Sequence, residues 1–207
     1  MAEPTRVVVI GPECTGKTTL ARELADRFGV PWVPEFARAF VDRARRPVRF
    51  EDVDAIGRGQ LAAEDEARRR GGPLVVLDTD LVSTWVYSLH YYRDCPAWIE
   101  HAARERLSEL YLLLGTDVPW VPEGYYREQP ERREELYTLF ERTLEGLGAR
   151  MVEVRGTWDQ RRAAAIAAIE KLLRPTSAAS ARPGAGSPRG TRPRCASRSS
   201  TCGRTDR

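Results

Sequence analysis

Short apolar runs and helix-period patterns take turns along this chain. Val7, Val8, Val9 and Ile10 are uninterrupted by any polar residue, so Arg6–Ile10 reads as a buried strand. A Gly-rich segment follows, and then a helical pattern to about Phe28. Val30–Val33 reads as a short second strand flanked by prolines. Helical patterns cover Phe36–Arg45 and Glu51–Arg70, the latter stopped by Gly71, Gly72 and Pro73. Leu74–Leu77 is a third strand that ends at Asp78. Leu81–His90 and Ala97–Leu107 look helical, Leu110–Leu114 is a fourth strand, and residues 115–130 form a Pro- and Gly-rich loop. Glu131–Leu147 reads as a charged helix, Arg150–Val154 as a fifth strand and Trp158–Leu173 as a closing amphipathic helix.

Apolar strands separated by helices predict a parallel sheet covered on both faces. The expected fold class is α/β, a three-layer α/β/α sandwich of the P-loop kinase-like kind with five parallel strands and a lid. Sheets of this type bind ligands at the carboxyl ends of their strands. The residues just after each strand are therefore the ones that bear on function.

After the first strand stands GPECTGKTTL. Gly11, Gly16, Lys17 and Thr18 match the G-x-x-x-x-G-K-[ST] phosphate-binding pattern, in the strand-to-helix context that the chemistry requires. Such a loop turns its backbone N–H groups inward onto phosphate oxygens, and the following helix adds its positive end. Lys17 is expected to reach the β- and γ-phosphates of ATP, and Thr18 to offer its hydroxyl to Mg²⁺. Glu13, Cys14, Thr15 and Thr19 complete the nucleotide-binding candidates. Gly156, Thr157 and Trp158 follow the fifth strand, where the base can be cradled, and Trp158 is the candidate there.

Asp78 stands where a P-loop protein keeps its metal-side carboxylate. Asp80 is two residues on; at strand spacing the two carboxylates would point to one side, and a helix N-cap is the other reading of Asp80. Glu35 ends the second strand. It suits a base that accepts the proton of an attacking hydroxyl, or an acid at a helix start. Arg38, one turn on, could pair with Glu35 or with a phosphate. The long charged segment 115–136 is expected to close over the phosphates, with Arg127, Arg132 and Arg133 as candidate lid arginines. Trp85, Tyr87, Tyr91, Tyr92, Trp120, Tyr125 and Tyr126 form an aromatic cluster, part core and part available to stack on a substrate ring.

Composition changes the picture at one end. From Pro175 the chain has no aromatic or large aliphatic residue and is rich in Pro, Gly, Ser and Arg. Such a segment cannot offset the entropy of ordering itself, so two regions are expected: a P-loop domain over 1–174 and a disordered tail over 175–207. The tail carries +6 against a whole-chain +3, leaving residues 1–174 at −3. The basic excess is thus no folded basic face, and no specific nucleic-acid binding is expected. Cys14, Cys95, Cys195 and Cys202 contain no C-x-x-C pair, and His90 and His101 are the only histidines, so neither a disulfide framework nor a zinc site is expected. No apolar stretch approaches the roughly 18 residues of a membrane span, and no signal peptide is visible, so a cytoplasmic protein is expected. The sequence carries no signature of an oligomeric state.

GPECTGKTTL, PEFAR, LDTDLVSTWVYSLHYYRDCPAWI and LYLLLGTDVPWVPEG together resemble the NadR-type ribosylnicotinamide kinases, over residues 6–173. That resemblance implies phosphorylation of the 5′-hydroxyl of nicotinamide riboside by ATP, giving nicotinamide mononucleotide. It further implies that Glu35 and Asp80 hold the ribose and activate its hydroxyl, that Asp78 serves the metal, and that Trp120 or Tyr91 faces the nicotinamide. Members often carry an adenylyltransferase domain with an H-x-G-H signature. This chain opens on the P-loop strand and holds two histidines, so neither that activity nor a repressor's is expected. The usual lid pattern has Asp-Gly, one residue, then Arg; here Glu123-Gly124-Tyr125-Tyr126-Arg127 is one residue longer. Two other functions fit the same residues. One is a kinase of another nucleoside or small molecule. The other is a nucleotide-dependent regulatory switch, although the guanine-reading N-K-x-D sequence is absent.

Overall fold

The computed structural model describes residues 3–121 and 129–174. They fall in one compact unit, Met1–Arg174. The strands are β1 (Thr5–Ile10), β2 (Trp32–Val33), β3 (Leu74–Asp78), β4 (Leu110–Leu114) and β5 (Met151–Val154). All pair in parallel, in the order β2-β3-β1-β4-β5. The helices are α1 (Lys17–Phe28), α2 (Phe36–Ala44), α3 (Val53–Arg70), α4 (Leu81–Tyr92), α5 (Ala97–Glu105), α6 (Arg133–Gly146) and α7 (Trp158–Leu173).

Alternation along β1 builds two cores. Val7 and Val9 face one side, with Leu20, Leu24, Ala165 and Ile169 of α1 and α7. Val8 and Ile10 face the other, with Val53, Val82, Ile99 and Phe140 of α3, α4, α5 and α6. Each valine of β1 is fully buried because helices lie on both faces of its sheet. The α/β class and the three layers are therefore as the apolar pattern predicts.

The differences are local. Strand β2 is two residues long, because Val30 is taken by the end of α1: Gly29 turns left-handed at φ 62° and the Val30 N–H donates to the Ala25 carbonyl at 3.0 Å. Strand β2 also pairs with β3 and not with β1. Single 3-10 turns, Phe50–Asp52 and Pro130–Arg132, precede α3 and α6. Among the described residues no helix is long and apolar enough to cross a membrane. The tail (175–207) and the centre of the expected lid, with Glu123, Gly124, Tyr125, Tyr126 and Arg127, lie outside the described residues.

Candidate active site

The loop after β1 folds as a phosphate cradle because two of its positions accept only glycine. Gly11 has φ 140°, and a Cβ there would stand 2.8 Å from the Leu114 carbonyl oxygen. Gly16 has φ 86°, and a Cβ there would stand 2.8 Å from the Trp158 ring. Within the loop the Thr15 hydroxyl and the Lys17 ammonium both donate to the Pro12 carbonyl, at 2.9 and 2.8 Å. Cys14 is left-handed at φ 54°. Helix α1 starts at Lys17 with no side-chain cap, which leaves its first N–H groups for an anion. Thr19 is exposed on that first turn. Trp158 covers Gly16 and donates its indole N–H to Glu23 at 3.2 Å, so it walls the cradle on the β5 side.

At the end of β3 the Thr18 hydroxyl donates to Asp78 Oδ2 at 2.6 Å. Two hard oxygen donors thus meet beside the first turn of α1, which fits a magnesium ion that takes one carboxylate, one hydroxyl and nucleotide phosphates. Among the described residues no cluster of three or more His, Cys, Asp or Glu could hold a metal unaided.

Asp80 departs from expectation. Thr79 is left-handed at φ 69°, which breaks strand alternation, so Asp78 and Asp80 do not share a side. Asp80 turns inward, caps α4 by accepting the Val82 and Ser83 N–H groups at 3.0 and 3.3 Å, and accepts the Tyr111 hydroxyl at 2.8 Å. It does not line the cavity described below. The N-cap reading holds.

Burial raises the Asp80 carboxyl to about 6, against the opposing Tyr111 hydroxyl and the Ser83 and Val82 N–H groups. Glu64, on the buried side of α3, is raised to about 8, first by burial and then by Asp80. A carboxyl raised in the fold binds its proton more tightly folded than unfolded. The stability it contributes is full below its ordinary value of 3.8 or 4.5 and is lost as pH rises through about 6 for Asp80 and about 8 for Glu64. We expect the melting temperature to fall from about pH 4 to about pH 8, and Glu64→Gln to flatten the upper part of that fall. Calorimetric melts across this range check it; a wild-type profile flat over the window would contradict it.

Beside the cradle lies a cavity of about 140 Å³. Its lining combines the polar and charged residues Glu13, Cys14, Lys17, Glu35 and Arg38 with the aliphatic Ala37, Val41, Val48, Val53 and Ile56. Tyr87, Tyr91 and Tyr92 of α4 supply a ring-bearing wall. Tyr87 and Tyr91 lie parallel, 8° apart in plane with centroids 6.2 Å apart. The Tyr87 hydroxyl donates to the Gly11 carbonyl at 3.2 Å and the Tyr91 hydroxyl to Glu13, which ties this wall to the cradle. Trp85 packs in the core and Trp120 sits half-buried on the loop after β4; neither lines the cavity.

Glu35 precedes α2 and its carboxyl stands 4.0 Å from Arg38. Burial raises its pKa; Lys17 and Arg38 oppose the rise, and Asp78 and Glu13 add to it. A carboxylate with a raised pKa beside a phosphate cradle can take a proton from a hydroxyl bound between them.

Three polar residues carry the site from behind, and the motifs do not name their roles. Gln60 interrupts the apolar stripe Val53, Ile56, Ala67 of α3 and is 2% exposed. Arg161 likewise stands on the buried stripe of α7, with Ala165 and Ile169, and is 0% exposed. It donates to the carbonyls of Thr15, Gly115 and Gly156 at 3.2, 3.1 and 3.0 Å and pairs with Asp117. Arg133, one of the three expected lid arginines, is buried and donates to the carbonyls of Val118 and Cys14 at 3.1 and 3.4 Å. Arg132 instead pairs with Glu135 on the surface. A charged or amide residue on an otherwise apolar helix stripe is the sequence signal that would have singled out Gln60 and Arg161.

The trifunctional NAD biosynthesis/regulator protein NadR of Escherichia coli and that of Salmonella typhimurium are each 27% identical to this chain over 122 residues. The match takes in 57% of this chain and 30% of each relative, so it spans about a third of the length of these curated proteins. The crystal structure of NadR protein in complex with NR superposes with a TM-score of 0.70 at 24% identity, over 82% of this chain and 52% of that one. Thymidylate kinase from Ehrlichia chaffeensis superposes with a TM-score of 0.60 at 14% identity, over 83% of this chain and 100% of that one. Both likenesses are of fold. A sequence model of the AAA domain matches residues 6–161, three quarters of the chain, and the chain belongs to that family.

Proposed function

We propose that this protein is a nucleoside kinase that transfers the γ-phosphoryl group of ATP to the 5′-hydroxyl of nicotinamide riboside, yielding nicotinamide mononucleotide and ADP. One observation carries the reading: Lys17 and Glu35 line the same cavity as the parallel rings of Tyr87 and Tyr91. The backbone N–H groups at the start of α1 and the Lys17 ammonium would hold the β- and γ-phosphates. Thr18 and Asp78 would hold Mg²⁺, which when bound neutralises phosphate charge. Glu35 would accept the proton as the 5′-oxygen bonds to the γ-phosphorus and the bond to the β–γ bridging oxygen breaks. Arg38 would hold Glu35 in place, and Tyr87 and Tyr91 would face the base.

The cavity favours a nucleoside over a nucleotide acceptor. Lys17 serves the donor, which leaves Arg38 as the one other cation among the described lining residues, and Glu35 faces it. An acceptor that already bears a phosphate needs more positive charge than this. The likeness to NadR supports nicotinamide riboside as the acceptor. The test is product mass after incubation with ATP, Mg²⁺ and a panel of nucleosides and nucleoside monophosphates. Phosphorylated nicotinamide riboside is expected. Phosphorylation of another nucleoside alone would keep the kinase and remove the acceptor; tight ATP binding with no acceptor phosphorylated would favour a regulatory switch.

A further inference from the structure

Two corners of the cavity come from different strands. One follows β2 and carries Glu35; the other follows β3 and carries Thr79, next to Asp78 at the strand end. The ladder between β2 and β3 runs to Val33 and Leu77, and both corners lie beyond it. Gln60, on α3, reaches both. Its Oε1 accepts the N–H of Phe36, the residue after Glu35, at 3.0 Å. Its Nε2 donates to the carbonyl of Thr79, the residue after Asp78, at 3.2 Å, and more weakly to Glu64 Oε1 at 3.4 Å.

Each contact falls where the backbone needs holding. Helix α2 begins at Phe36, and Glu35, its N-cap residue, makes no side-chain cap bond. Gln60 takes over that capping, so the first turn of α2 and the carboxylate just before it are fixed from α3. Thr79 holds a left-handed conformation that a β-branched residue rarely adopts, which persists only where surroundings enforce it. The Gln60 amide is one such restraint. Gln60 is buried and lines the cavity, and an apolar residue of its length would serve packing alone.

We propose that Gln60 is a positioning residue of the active site, which sets the distance between Glu35 and the metal-side corner at Asp78 by bridging their two backbones. The inference rests on the kinase reading given above. Gln60 acts through Glu35 and touches neither the phosphate nor the metal ligands.

Gln60→Met keeps length and volume and removes both bonds. Misplacing a reacting group by about 1 Å can cost about 100-fold in rate. We expect kcat with ATP and the acceptor to fall about 10- to 100-fold, and KM for ATP to change by less than about threefold. Gln60→Glu restores an acceptor for the Phe36 N–H and is expected to recover part of the turnover. The deciding measurement is a double-variant cycle. If Gln60 works through Glu35, then Gln60→Met added to Glu35→Gln lowers kcat little beyond Glu35→Gln alone. Full multiplication of the two losses would show a general structural role and overturn the inference, as would wild-type kcat in Gln60→Met. Absence of turnover in the wild-type protein with every acceptor would overturn the kinase reading and this inference with it. Thermal melts of each variant confirm that folded protein is compared.

Discussion

Replacing Lys17 with alanine is expected to lower turnover about 100- to 1,000-fold, the usual loss when one preorganised charge-stabilising donor is removed. The fold should survive the change. The Lys17 ammonium donates to the Pro12 carbonyl, and the Thr15 hydroxyl donates to that same oxygen, so the carbonyl keeps a partner in the variant. What is lost is a nearly buried cation lining the cavity, where phosphate charge would develop. A second consequence concerns Glu35. Lys17 is the largest influence holding the raised Glu35 pKa down; Arg38 remains to oppose the rise, while Asp78 and Glu13 continue to push it up. Removing Lys17 raises that pKa further, so the residual activity should need a higher pH than the wild type. Steady-state rates across pH measure both effects. Full activity in the variant would overturn the reading of the cradle as the donor site.

Arg161→Met should have the largest effect on stability. The Arg161 guanidinium is fully buried and serves three carbonyl oxygens and Asp117 at once. These belong to the cradle, the loop after β4 and the loop after β5, three segments far apart in sequence. Methionine fills much of the volume but satisfies none of the oxygens, and each buried orphan costs about 1–3 kcal/mol. We expect about 3–5 kcal/mol of destabilisation, or roughly 10 °C in melting temperature for a domain of this size. Arg161→Lys should rescue little, since one ammonium cannot span acceptors that a planar fork reaches. Nucleotide affinity should fall as well, because Thr15 lies inside the cradle. Calorimetry and nucleotide titration test this; a melting temperature within about 2 °C of wild type would show the bonds to be dispensable.

The element pattern was readable because it is written locally. Apolar runs mark β1, β3 and β4, which are buried on both faces, and Gly71-Gly72-Pro73 ends α3 within a residue of its expected stop. The phosphate cradle was equally readable, since Gly11 and Gly16 stand where backbone angle and close neighbours both demand glycine. Strand β2 was read two residues too long, because whether Val30 joins a strand or ends a helix depends on a bond to Ala25. Asp80 shows a different limit. Two acids at strand spacing look equivalent in sequence, and only the left-handed turn at Thr79 sends one to Thr18 and the other into the cap of α4.

What the sequence determined by itself, then, is the order and kind of the elements, the phosphate cradle and the acids at the strand ends. These rest on periodicity and on residue-specific backbone freedom, which act over a few residues. Tertiary structure alone decided that β3 separates β2 from β1, that Tyr87 and Tyr91 wall the cavity, and that Gln60 and Arg161 brace it from behind. Those facts depend on partners up to 146 residues away, which no local pattern records. A polar residue on an apolar helix stripe announces that a buried partner exists, and only packing the helix against the sheet decides which backbone it holds.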